Sequence, residues 1–135
     1  MILYHISHQY LGENPTFSPK IPDHPMPGEN ETIPRICTAP TISGCYLAIL
    51  SDFYLLAKEG QDIPEYFVYA TETDKAVFAG ENVPDSNITG EHWIKEPTQF
   101  HLIGKAPRIK ITMKRYAQKP FLNQLRKTVD ETITF

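Results

Sequence analysis

Cysteine and histidine have the widest chemical reach in this 135-residue chain, which holds two of the first and five of the second. Cys37 and Cys45 form no Cys-x-x-Cys pair, so neither a zinc knuckle nor a dithiol redox pair is indicated. His8, His24, His92 and His101 offer no helical pair for a metal ion. A thiolate–imidazole couple drawn from Cys37 or Cys45 with His5 or His92 has no local signature, and Cys45 falls in an apolar helical stretch. Both thiols therefore read as small buried hydrophobes. The chain lacks a Gly-x-Ser-x-Gly elbow, a Gly-x-Gly-x-x-Gly turn and a Walker loop. That argues against a serine hydrolase, a Rossmann cofactor site and a P-loop. One cluster stands out: Thr89-Gly-Glu-His-Trp93 is polar for a strand and carries the single carboxylate Glu91, which suits a pocket wall.

The elements that would position these groups follow from pattern and punctuation. Ile2-Leu-Tyr-His-Ile-Ser7 reads as a central first strand, with Tyr4 and Ile6 on one face and Leu3, His5 and Ser7 on the other. Residues 13–34 carry Pro15, Pro19, Pro22, Pro25, Pro27 and Pro34, which predicts a long loop pinned by Phe17, Ile21, Met26 and Ile33. Arg35 to Ala39 reads as a strand. The main helix is expected over 41–60, capped by Thr41 or Ser43 and ended by Gly60, with Ile42, Tyr46, Ile49, Phe53 and Leu56 on one stripe. Further strands are expected over 65–71, 91–94 and 100–104, with a brief one near Val77 and Phe78 and loop over 84–87. Trp93 reads as a packing anchor. Strands do not alternate regularly with helices. The fold class is therefore α+β, with a mixed, mainly antiparallel sheet packed on one main helix, in a single domain spanning 1–135.

Charge is unevenly spread beneath a net −3. Residues 1–104 sum to −9, whereas 105–135 sum to +6. Arg108, Lys110, Thr112 and Lys114 would share one face of a strand and Ile109, Ile111 and Met113 the other. This basic face suits either the protein's own acidic body or a phosphate, dinucleotide or nucleic acid. The acidic remainder counts against broad binding of duplex DNA. No run of 18 apolar residues and no signal-like N-terminus occur, so the expectation is a cytoplasmic protein without a membrane span.

Three segments in chain order resemble the ADP-ribosyltransferase superfamily: Tyr4-His-Ile-Ser7, the strand-turn-helix from Arg35 to Leu50, and Thr89-Gly-Glu-His-Trp-Ile94. Their order is similar to the diphtheria-toxin-like branch and to small relatives such as RNA 2′-phosphotransferases and DNA-modifying transferases, and the resemblance covers residues 2–105. It implies NAD as substrate, cleaved at the nicotinamide–ribose bond. In that branch a first-strand histidine holds the NAD ribose, a strand and helix shape the nicotinamide pocket, and a late glutamate completes the catalytic set. Carried over, His5 would bond a ribose hydroxyl with Ser7 or Thr38 nearby. Glu91 would hold the ribose 2′-hydroxyl and stabilise an oxocarbenium-like transition state. Tyr46 or Tyr54 would stack on nicotinamide, and Arg35 would meet a phosphate bidentately. Position 89 is Thr rather than a second acid, which points away from modification of protein arginines. The acceptor would be a nucleic acid or a protein. The alternative is a noncatalytic accessory domain that uses the proline-rich loop and the basic segment 105–127 for a protein or nucleic-acid partner.

Overall fold

The computed structural model describes residues 1–23, 27–49, 56 and 58–106. The basic strand expected at 108–115, Met26, Phe53 and Tyr54, and a terminal helix that Pro120 and the partial stripe Phe121, Leu122, Leu125 and Val129 predict over 120–129, lie outside the described residues. In chain order the elements are β1 (Ile2–Ser7), β2 (Thr16–Phe17), β3 (Ile36–Thr38), α1 (Ile42–Ala48), β4 (Tyr66–Glu72), β5 (Val77–Phe78), a 3-10 turn (Gly80–Asn82), α2 (Ser86–Thr89), β6 (His92–Ile94), β7 (Thr98–Gln99) and β8 (His101–Ala106). The fold is α+β, with antiparallel sheets and one main helix.

β4 is the middle strand of a three-stranded sheet, β1-β4-β8. Its residues Val68 to Thr71 are buried one after another, the pattern of a strand covered on both faces. β1, expected to be central, lies at an edge of this sheet. That edge is nevertheless covered, because Tyr4 and Ala39 exchange backbone hydrogen bonds of 2.8 and 3.0 Å and stitch β1 to the end of β3. Alternation along β1 then sorts the core. Tyr4 and Ile6 pack with Tyr46, Leu47, Ile63, Val68 and Ala106, while Leu3 packs with Ile36, Tyr69, Ile94 and Phe100. A second sheet, β3-β6-β5, places Cys37 opposite Trp93 and Trp93 opposite Val77.

The proline-rich segment is more ordered than its composition implies. Thr16–Phe17 form β2, paired with β7, and Lys20 exchanges backbone hydrogen bonds with Arg35. Proline lacks a donor but keeps its acceptor, and the Pro15 carbonyl accepts from the Phe100 N–H at 2.8 Å. Phe17 and Ile33 pack against core clusters. Ile21, expected to pin the loop, is 41% exposed. The expected loop over 84–87 instead leads into α2.

α1 begins where the capping residue requires. The Thr41 hydroxyl accepts from the Gly44 N–H at 3.0 Å, which satisfies one orphan donor of the first turn. Ser43 to Leu47 are buried, so this face carries the helix into the body of the protein.

Candidate functional site

Two glycines allow the backbone to close around a small cavity. A Cβ on Gly44 would collide with the Thr89 carbonyl oxygen, so only glycine lets α1 approach the end of α2 this closely. Gly90 ends α2 at φ +71° and presses against the Pro40 ring, a left-handed position that favours glycine. The chain therefore leaves α2 sharply and presents Glu91 immediately before β6.

The resulting cavity has a volume of about 110 Å³. His5, Thr38, Gly44, Cys45, Thr89 and Glu91 are among its lining residues. His5 also lines a larger cavity of about 660 Å³, together with Ser7, Phe17, Ser18, Lys20 and Asp23. The histidine thus stands between a narrow compartment floored by Glu91 and a broad one beneath the proline-rich loop.

His5 Nδ1 lies 2.9 Å from the Cys37 carbonyl oxygen. A carbonyl only accepts, so Nδ1 carries the proton and Nε2 is the acceptor of the neutral ring. Burial holds the His5 pKa below its ordinary value, against the opposing pull of the Cys37 carbonyl. The ring rests on Phe17, with centroids 5.0 Å apart. A neutral imidazole so fixed can accept from a hydroxyl group.

Glu91 is 6% exposed and its carboxylate Oε2 accepts from the Trp93 indole Nε1–H at 2.6 Å. Burial raises its pKa. The indole hydrogen bond opposes that rise, Glu29 and Asp85 add to it, and Arg35 pulls the other way. Thr38 donates its hydroxyl to the His92 carbonyl at 2.8 Å and holds β3 to β6 beside the cavity. Ser7 faces the larger cavity, where its hydroxyl accepts from the Gln9 N–H at 3.1 Å.

Two of the expected ligand-binding residues have other work. Arg35 is 1% exposed; its guanidinium pairs with Glu29 at 2.7 Å and donates to the carbonyls of Asn30 and Ile33. Its forked donors are turned to this internal set instead of a phosphate. Tyr46 is fully buried, stacks edge-on with Tyr66 and lines neither cavity, so it is a core residue and not a nicotinamide platform. Phe17 is the aromatic ring that does line the larger cavity. The sequence predicts it only as a loop anchor, and no local signal marks it as anything else.

Burial pushes both thiols up to about 12, which leaves them protonated and poor nucleophiles at neutral pH. Among the described residues, no helix is long and apolar enough to cross a membrane. No family model, curated protein or solved structure matches the chain.

Proposed function

We propose that the chain is a small NAD-consuming enzyme of the ADP-ribosyltransferase type, which breaks the bond between nicotinamide and ribose. One observation carries this reading: His5 and Glu91, far apart in sequence, line the same cavity. Nicotinamide and its ribose would enter the narrow compartment, and the rest of the dinucleotide would lie along the larger one that His5 borders. A pocket of several hundred Å³ is of the size that such ligands occupy.

The chemistry assigned to each residue is simple. His5 Nε2 accepts from a ribose hydroxyl and fixes the sugar. Glu91 accepts from the 2′-hydroxyl and sets its negative charge against the ring as C1′ loses its bond to nitrogen. The electron pair of that bond leaves with the nicotinamide nitrogen and cancels its positive charge. C1′ becomes oxocarbenium-like until water or an acceptor supplies an electron pair and loses a proton. A buried carboxylate acts more strongly on this charge than it would in water.

The test is calorimetric titration with NAD, with nicotinamide release followed in parallel. Wild-type protein is expected to bind and release, and Glu91→Gln to bind with release reduced by roughly 100-fold or more, the scale of a lost electrostatic stabiliser. Full release by folded Glu91→Gln removes Glu91 from the mechanism. A wild-type protein that shows no binding and no release refutes the proposal.

A further inference from the structure

We propose that Trp93 and Arg35 are positioning residues for Glu91: the indole N–H holds one carboxylate oxygen, and the stacked guanidinium holds the indole. The inference rests on the reading of Glu91 given above for its catalytic consequence, but not for the orientation itself.

The geometry is a buried chain of contacts. Glu29 Oε2 meets Arg35 Nη2 at 2.7 Å, the Arg35 Cζ lies 4.2 Å from the centroid of a Trp93 ring, and Trp93 Nε1 donates to Glu91 Oε2 at 2.6 Å. Arg35 and Trp93 are each 1% exposed. The last contact follows from strand geometry. Residues two apart on an extended strand point the same way, so Glu91 leading into β6 puts its carboxylate beside the Trp93 side chain. Arg35, immediately before β3, points to the same side as Cys37 within it, and Cys37 stands directly across from Trp93. Arg35 is itself fixed at both ends of its fork, by Glu29 and by the carbonyls of Asn30 and Ile33.

A packing role alone does not account for this arrangement. Phenylalanine would keep an aromatic ring beside Ala79 and Val83 but would bring no donor to the carboxylate. A cation over the ring face is attracted to its electrons and resists rotation of the indole plane. With Oε2 occupied, Oε1 is the oxygen left for a bound molecule. A carboxylate held in one orientation before substrate arrives needs no rearrangement during the reaction.

Trp93 is the only tryptophan, so its indole N–H gives one unambiguous proton–nitrogen NMR signal. The charged groups acting on Glu91 are Glu29, Asp85 and Arg35, and its cavity neighbours that titrate are His5, Cys37 and Cys45. Followed across pH, the indole signal is expected to move in one step above the ordinary glutamate range, and the step is expected to vanish in Glu91→Gln. An indole signal without that step, or one whose step survives in Glu91→Gln, overturns the orientation claim whether or not NAD is cleaved. The second arm is Trp93→Phe. Because the lost hydrogen bond favours the ionised form, nicotinamide release should fall roughly tenfold in kcat with KM little changed, and its acid limb should move to higher pH. An unchanged kcat and acid limb in folded Trp93→Phe overturn the catalytic consequence. A wild-type protein that releases no nicotinamide refutes the activity itself, while the indole titration still decides the orientation.

Discussion

At Glu91 the demands of stability and of the proposed chemistry oppose one another. Burial raises its pKa above the ordinary 4.5, so the folded state holds its proton more tightly than the unfolded chain does. Stability from this group is complete below the unfolded value and is lost as pH rises through the folded one. Glu91→Gln, which is never charged, is therefore expected to melt above the wild type at pH 7, with the gap closing as pH falls and gone below about 4.5. Thermal unfolding at a series of pH values measures it, and a lower melting temperature for Glu91→Gln at pH 7 contradicts the account. His5 has the opposite sign. Its pKa is depressed by burial, so its contribution is complete above about 6.5 and is lost as pH falls through its folded value. His5→Gln should accordingly flatten the loss of wild-type stability on moving from pH 7 towards pH 5; an identical slope in the two proteins excludes His5 as its source. The sequence singles out both because a histidine in an apolar strand and a lone acid in a polar cluster are conspicuous, and the fold brings the two to one cavity. Arg35 and Tyr46 were singled out by residue type alone. Their types suit ligands, but the groups that satisfy Arg35 come from Glu29 and a proline-rich loop whose path no local pattern announces.

The elements around the cavity depend on how closely α1 approaches α2, and that distance depends on Gly44. Adding one methyl group there drives it into the Thr89 carbonyl and against Thr41 and Ala39. Backbone cannot yield as a flexible side chain can, so the helix must shift. Gly44→Ala is expected to cost about 1–3 kcal/mol, the usual range for an overpacked core. This outweighs the helix propensity that alanine gains, about 1 kcal/mol. Denaturant unfolding reads the loss directly, and a Gly44→Ala protein as stable as wild type would mean that α1 and α2 are not held at this spacing. The long strands β1, β4 and β8 and the cap at Thr41 were readable, since runs of strand-forming residues and a capping hydroxyl are local signals. β2 and β7 were not, because two-residue strands have no periodicity and exist only through each other's backbone groups. The central place of β4 was equally hidden: it is decided by pairing with β1 on one side and β8 on the other, not by composition.

Across the molecule, the two cysteines sit where the separate elements meet. The Cys45 thiol on α1 donates to the Tyr4 carbonyl of β1 at 3.3 Å, and Cys37 on β3 faces Trp93 on β6. Both also line the small cavity. With their pKa values near 12, about one thiol in ten thousand is ionised at pH 8 in the native state. In the unfolded chain the pKa returns to about 8.5, and a substantial fraction becomes reactive. Alkylation by iodoacetamide at pH 8 should therefore be slow until the sheets and α1 come apart, and its rate should follow the population of opened molecules. A ligand that binds only the folded protein reduces that population by mass action. If NAD occupies the cavity, a concentration 100 times its Kd should slow labelling of Cys45 by about 100-fold. Mass spectrometry of the labelled chain resolves the two sites. Rapid labelling of Cys45 in otherwise native protein would show that α1 lifts from β1 without global unfolding. The cavity would then open by movement of the helix, and the close contact at Gly44 would be a hinge instead of a fixed wall.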